Sequence, residues 1–166
     1  MKKTFYIYII FIFAVFLTSG SGRQVAAQVV KDSTSEKMLK EIKAIYKPFQ
    51  GKDTFIVSYT GNELKNISVI TVEVGSAISI LADVAAGREV DLTPEIMRKL
   101  LEFNSRADYI KVGISDIGSI RVQCEQNLVT MNSNFFKEVL DQVASGVDEI
   151  AMILRPVKKK TVAPVK

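Results

Sequence analysis

Residues 92–126 read LTPEIMRKLLEFNSRADYIKVGISDIGSIRVQCEQ, and this stretch decides the fold. Thr93 is a favourable N-cap, Pro94 suits the first helical position, and Glu95 complements the positive end of the helix dipole. A helix is therefore predicted to begin here and to continue to Asn104. Apolar residues at helical spacing form its expected buried stripe, with two more broadening it: Ile96, Leu100 and Phe103, then Met97 and Leu101.

The second half of the stretch alternates apolar and polar residues, which is the pattern of half-buried strands. It predicts two strands, at residues 109–115 and 119–125, joined by a turn at Asp116-Ile117-Gly118. One face of each strand is expected to lie on a core. The core-facing residues are Ile110, Val112 and Ile114 in the first strand, and Ile120, Val122 and Cys124 in the second.

The sequence before this stretch predicts one helix and three strands. The helix is expected to begin at Ser35 and to end at Pro48, which cannot continue it. Its apolar positions at helical spacing are Met38, Leu39, Ile42, Ile45 and Tyr46. Strands are predicted at residues 54–59, 66–74 and 77–84. A helix is the alternative for residues 77–86, because alanine, leucine and isoleucine tolerate it.

A long final helix is predicted after residue 131, capped at Asn132-Ser133 and ended by Pro156. Gly146 inside it indicates close packing. Its apolar stripe is Phe136, Val139, Leu140, Val143, Val147, Ile150 and Leu154. The predicted order is α-βββ-α-ββ-α, a largely antiparallel five-stranded sheet packed by helices, which is an α+β fold.

The N-terminal residues have the three parts of a secretory signal peptide. Lys2 and Lys3 precede an apolar run, and small residues precede a cleavage point after Ala27. The run is shorter than the roughly 20 residues that span a bilayer, although an uncleaved anchor is the alternative. We expect residues 1–27 to be a signal peptide, 28–34 a lead-in, 35–155 one α+β domain and 156–166 a flexible basic tail. The domain would act in the periplasm or outside the cell.

The charge is unevenly distributed. The chain has 22 basic and 18 acidic residues, for a formal charge of +4. Three basic residues lie in the leader and five from Arg155 onward, so the remaining 14 basic residues face all 18 acidic ones, a net charge of −4. A nucleic-acid-binding face is therefore not predicted. Lys158, Lys159 and Lys160 could contact an anionic surface weakly, although a solvated tail is the alternative.

The residues that most catalytic sites require are scarce. The chain has no histidine, which excludes histidine general bases and Ser-His-Asp catalysis. Asp108 and Asp116 could form a carboxylate pair, but roles at turns and strand ends explain them better. The single cysteine, Cys124, alternates with apolar strand residues and is expected to be buried. No enzyme, cofactor or metal site is predicted.

Aromatic residues give the best candidate for a partner surface. Tyr46 and Phe49 flank the end of the first helix, Tyr59 ends the first strand, and Tyr109 lies opposite the core-facing residues of its strand. If their face of the sheet is uncovered, these four side chains would form an apolar patch for another protein or a second copy. Packing into the core is the alternative.

The element order and several local patterns resemble the YbjN-type family of bacterial proteins, which are assigned to sensory transduction and share the fold of type III secretion chaperones. The resemblance covers about residues 37–154. The matching patterns are Leu92-Thr93-Pro94-Glu95 at the helix start, residues 100–104 at its end, the Asp116-Ile117-Gly118 hairpin, and Asn132-Ser133-Asn134-Phe135-Phe136 before the last helix. The resemblance implies a non-enzymatic, often dimeric domain that binds a polypeptide or another macromolecule, and it brings no site residues.

The sequence therefore predicts an exported, non-catalytic, dimeric interaction domain that binds another protein in a chaperone-like or regulatory role. The alternative is a periplasmic domain that binds a small molecule or lipid. It would need an apolar pocket between sheet and helices, lined by residues such as Phe103, Ile80 and Ile114.

Overall fold

The described part of the chain forms three helices and six strands in the order α-ββββ-α-ββ-α. The computed structural model describes residues 33–51, 53–86 and 90–155. The predicted signal peptide, most of the lead-in and the basic tail lie outside these ranges. The elements are α1 (Thr34–Glu41), β1 (Tyr46–Pro48), β2 (Thr54–Tyr59), β3 (Ile67–Val74), β4 (Ala77–Ala86), α2 (Pro94–Arg106), β5 (Lys111–Ile114), β6 (Ser119–Asn127) and α3 (Ser133–Leu154).

All six strands belong to one antiparallel sheet, in the order β1-β2-β3-β4-β6-β5. The α+β class and the antiparallel sheet are confirmed, but the predicted count of five strands is wrong by one. The choice of strand over helix for residues 77–84 is confirmed, and β4 continues to Ala86. Strand β2 has the predicted limits, and the limits of the remaining predicted strands differ by at most two residues.

The extra strand replaces the predicted second half of the first helix. That helix ends at Glu41, because Lys43 adopts a left-handed conformation with φ of 54°. The amide of Ala44 donates to the Leu39 carbonyl (3.0 Å), and the amide of Lys43 donates to the Lys40 carbonyl (3.1 Å). These two bonds form a Schellman motif, which satisfies the last carbonyls of the helix. The chain then pairs with β2, and Pro48 is tolerated because β1 is an edge strand.

The helices pack on one face of the sheet. Alternate residues of the central strands, such as Val69, Ile80 and Val122, are fully buried beneath them. On the opposite face Ile56, Ile70 and Leu81 are neighbours across three strands and remain half-exposed. The buried face alone therefore forms the core.

Helix α3 lies across this core, and its predicted apolar stripe is buried throughout. Gly146 allows its close approach to the sheet. A Cβ at this position would lie 2.7 Å from Ile110 Cδ1, 3.1 Å from Phe103 Cζ and 3.2 Å from Val122 Cγ1. The predicted close packing at Gly146 is confirmed. None of the helices in the described ranges has the length and apolar character of a membrane span.

The hairpin of β5 and β6 is present, with Asp116 and Ile117 in its turn. Ile110 and Val112 are buried as predicted, but Ile114 is 56% exposed. Its pairing partner Ile120 is fully buried, so the difference arises because the end of the outermost strand extends past the helix layer. Asp108 and Asp116 lie before and after β5, so they do not form a carboxylate pair.

Candidate functional site

The four aromatic residues predicted as a partner surface lie at three separate places. Tyr46 is on edge strand β1, where its ring meets Phe55 edge-on at 5.5 Å and its hydroxyl donates to Glu36 Oε1 (3.2 Å). Phe49 follows β1 and is half-buried. Tyr109 precedes β5 at the opposite edge of the sheet. Its ring packs edge-on against Phe135 at 4.9 Å, and 39% of the residue is exposed.

Tyr59 is the one of the four that lies in a cleft. It ends β2, beside the middle of α3. Burial raises the pKa of the Tyr59 phenol above its ordinary value. The charge of Asp141 and a hydrogen bond to its carboxylate raise this pKa further. The phenol therefore stays protonated as a donor to Asp141. Contact of these aromatics with a partner stays a prediction.

The cleft beside Tyr59, called the loop cleft below, lies between the β2–β3 loop and α3 and has a volume of about 620 Å³. One carboxylate fixes its shape. Asp148 of α3 accepts hydrogen bonds from the amides of Asn62 (2.9 Å), Glu63 (2.9 Å) and Leu64 (2.8 Å). A Cβ on Gly61 would overlap the same carboxylate, so only glycine allows the loop to lie this close. The loop cleft is therefore preformed.

The lining of the loop cleft combines acidic and apolar side chains. Its acidic members are Glu63, Asp141, Asp148 and Glu149, and no lysine or arginine of the described residues lines it. Three of these acids pair with cations from outside the lining: Arg155 with Glu63, Lys137 with Asp141 and Arg106 with Glu149. The apolar members are Tyr59, Ile67, Ala144 and Met152.

A second cleft of about 590 Å³ lies on the other side of α3, against the end of α2. It shares Asp141, Ser145 and Glu149 with the loop cleft, so α3 forms the wall between them. Its lining includes both acids and cations, such as Asp108, Arg106 and Lys137, along with the core residues Phe103 and Ile110. It therefore has a mixed charge, whereas only carboxylates line the loop cleft as charged groups.

A further surface was missed from the sequence. Met97 and Leu101 were expected in the buried stripe, but they are 40% and 65% exposed. They share a side of α2 with Asn104, whose amide bonds the backbone of Val112 on β5. Exposed Ile114 and Ile117 follow Val112. We call Met97, Leu101, Ile114 and Ile117 the α2–β5 surface. The signal for it was the width of the apolar stripe, which exceeds what one core contact buries.

Both edges of the sheet are poor templates for an added strand. On β5, the side chain of Asn104 donates to the Val112 carbonyl (2.9 Å) and accepts from the Val112 amide (2.7 Å), so it occupies the backbone groups of Val112 in the middle of this four-residue strand. On β1, the strand has three residues and Pro48 has no amide hydrogen. Short or occupied edges resist strand addition.

The apolar pocket of the alternative hypothesis does not form from the residues predicted to line it. Ile80 is fully buried in the core and Phe103 is 3% exposed, whereas Ile114 is 56% exposed. The three side chains therefore do not surround a common cavity.

Cys124 is buried, as predicted, and burial raises the pKa of its thiol, so its nucleophilic thiolate is disfavoured. Within the described ranges, no group of three or more acidic or cysteine side chains is placed to hold a metal ion.

The fold is that of the type III secretion chaperones, as the resemblance implied. A chain of the heterodimeric ExoU–SpcU complex from the type III secretion system of Pseudomonas aeruginosa superposes with a TM-score of 0.56 at 12% identity, over 73% of this chain and 98% of that one. The Yersinia pestis type III secretion chaperone SycH, in complex with a fragment of YscM2, gives 0.50 at 9% identity, over 72% and 98%.

The structure of E. coli YbjN is also among the neighbours, with a TM-score of 0.47 at 12% identity, over 74% of this chain and 87% of that one. No protein-family model matches the chain, and no curated protein matches it in sequence. At these identities the likeness to the chains with TM-scores of 0.56 and 0.50 shows the fold alone.

Proposed function

We propose that this chain is an exported, non-catalytic interaction domain that acts as a dimer and binds another protein. The observation that carries the proposal is the α2–β5 surface. Its four apolar residues are between 40% and 81% exposed beside a core whose side chains are fully buried. Apolar residues left together on a surface are typical of protein interfaces.

The solved structures with this fold also support the proposal that the domain binds another protein. SpcU is described in a heterodimeric complex with ExoU, and SycH is described with a fragment of YscM2. In both cases the fold occurs together with another polypeptide. The α2–β5 surface is the place where we expect a second copy or a partner to bind here.

Export rests on the N-terminal sequence. The apolar run and the small residues before Gln28 support cleavage after Ala27. The mature chain would then begin at Gln28, which intact mass measurement of protein from the native host can check. We also propose that Lys158, Lys159 and Lys160 make weak contacts with an anionic surface, because clustered cations gain electrostatically there.

The test is site-specific cross-linking in the native cell envelope. A photo-reactive residue replaces Leu101 in one variant and Arg98 in the control. Both positions are exposed on α2, but Arg98 is outside the apolar surface. We expect adducts of defined mass, to a second copy or to one protein, from position 101 and not from position 98. Light scattering of the purified chain should show a dimer.

A different outcome would exclude this function. If the chain is a monomer at all concentrations, gives no adduct from position 101, and releases a small molecule on denaturation, then the ligand-binding alternative is correct.

A further inference from the structure

The loop cleft lies next to the point where the described chain ends. Arg155, the last described residue, pairs with Glu63 in the wall of the loop cleft, so the described chain ends beside this cleft. The next residues are Pro156, Val157 and three consecutive lysines. The most basic segment of the sequence therefore begins directly after a residue that contacts the cleft.

The charges of the loop cleft and of the basic segment are complementary. Four carboxylates line the loop cleft, and the three cations that pair with them approach from outside the lining. These ion pairs join exposed cations to partly exposed carboxylates, and surface pairs contribute only about 0–1 kcal/mol each, so they exchange partners readily. Asp148 accepts hydrogen bonds from three backbone amides, and among the described residues no lysine or arginine pairs with it. Added lysines would therefore increase the electrostatic stabilisation of this cleft.

The residues after Arg155 are also long enough, as an extended chain, to reach the carboxylates along α3. Asp148 and Asp141 lie about 10 and 21 Å before Arg155 along α3, at 1.5 Å per residue. An extended chain places Lys158 and Lys160 about 10 and 17 Å beyond Arg155. A segment that reverses direction at Pro156 therefore brings Lys158 level with Asp148, and it leaves Lys160 about 4 Å short of Asp141, a gap that the lysine side chain spans. Met152, which is 52% exposed, and Tyr59 offer an apolar contact for Val157.

We infer that the loop cleft binds this chain's own basic segment, residues 157–160. The docking is intramolecular, and it depends neither on the dimer nor on the protein partner proposed above. A short tether gives an effective concentration in the millimolar range, so an intrinsic Kd of about 1 mM would keep about half of the clefts occupied. Anything that binds this cleft or the lysines has to displace this contact.

The test is paramagnetic NMR on the full chain, with a nitroxide on a cysteine introduced by Thr161→Cys. Because Cys124 is buried, the unsubstituted chain should take no label, and this serves as the first control. We expect strong broadening of the amides of Asn62, Ser145 and Met152. Raising the salt to 1 M shortens the screening length to about 3 Å and should reduce the broadening severalfold.

Variants separate the charges involved. Replacing Lys158, Lys159 and Lys160 with glutamine should abolish the broadening, whereas replacing them with arginine should retain it. In the loop cleft, the double substitution Asp141→Asn and Glu149→Gln should weaken the broadening. The matched control is Glu138→Gln, because Glu138 lies on the same helix and lines only the other cleft.

Three results would overturn the inference. One is the absence of broadening in the parent chain, and another is equal broadening in the glutamine variant. The third is broadening of an isotope-labelled chain only by a nitroxide on a second copy.

Addition of phosphatidylglycerol vesicles tests the other anionic surface. Tight vesicle binding through the lysines without cleft broadening assigns the segment to lipid. Light scattering of the glutamine variant tests the dimer separately.

Discussion

Single residues decide several features of this domain, and Lys43 is the clearest. It occupies the left-handed position that ends α1, where glycine is usual and where a side chain costs about 1 kcal/mol. The strain is tolerated because the turn directs the chain into β1. The conformation of Lys43 therefore lowers local stability and allows β1, the strand that was not predicted, to form.

Lys43→Gly should stabilise the domain by about 0.5–1 kcal/mol, because glycine adopts positive φ without the Cβ penalty. Thermal and urea unfolding measure the change. The control is Lys37→Gly within α1, which should destabilise by about 1 kcal/mol. Destabilisation by Lys43→Gly would contradict the assignment of strain to this position.

Thr71 has a fully buried hydroxyl with no hydrogen-bond partner, between Phe55 and Ile80 in the sheet. A buried unsatisfied polar group costs about 1–3 kcal/mol. Thr71→Val keeps the shape and removes the hydroxyl, so we expect a gain of about 1 kcal/mol in urea unfolding. Thr54→Val on the half-exposed face is the control and should change stability little. A loss of stability in Thr71→Val would show that the hydroxyl has a partner.

The raised pKa of Tyr59 predicts a loss of stability at alkaline pH. The folded state holds this proton to a higher pH than the unfolded state, whose tyrosine pKa is about 10. The contribution is therefore complete below pH 10 and is lost as the pH rises above it. Urea unfolding between pH 8 and 11 should show a steeper loss for the parent chain than for Tyr59→Phe. Equal slopes would refute the assignment.

At the scale of elements, the β2–β3 loop and α3 are joined by Asp148. Its three amide bonds and the missing side chain of Gly61 are two parts of one contact. This contact shapes the loop cleft. The cleft geometry should therefore depend on both residues together.

Gly61→Ala and Asp148→Ala should each destabilise by about 1–3 kcal/mol, the cost of breaking a partly buried contact between a carboxylate and its amides. The double variant should cost little more than either change alone, because both remove the same contact. Urea unfolding of the four proteins measures this cycle. Gly113→Ala is the control, since a Cβ there meets nothing within 4 Å. Additive losses would mean that the two residues act separately.

At the scale of the molecule, one sheet face and one helix side remain for association. The edges formed by β1 and β5 disfavour the addition of a partner as a further strand. The α2–β5 surface and the half-exposed sheet face therefore remain as places where a partner can bind. The net charge of −4 between the leader and the tail keeps the domain from associating through charge attraction between copies. Association should therefore depend on apolar contact.

Leu101→Glu should raise the dissociation constant of the proposed dimer at least about tenfold, because it buries a charge in an apolar contact. Sedimentation or light scattering across a dilution series measures the constant. The charge-matched control is Arg98→Gln on the same helix, which also lowers the charge by one and should leave the dissociation constant nearly unchanged. Equal effects of the two variants would place the interface elsewhere.

The sequence by itself determined the local order of this protein. Caps, stripes and alternation located all three helix starts and five of the six strands, because these depend on neighbouring residues. The tertiary structure decided the rest. The end of α1 has no glycine to mark it, and β1 is stable only because β2 pairs with it. The exposure of Leu101 and Ile114 depends on how far α2 covers the sheet. The loop cleft joins Asp148 to residues 62–64, more than 80 positions away, and no local pattern contains that contact.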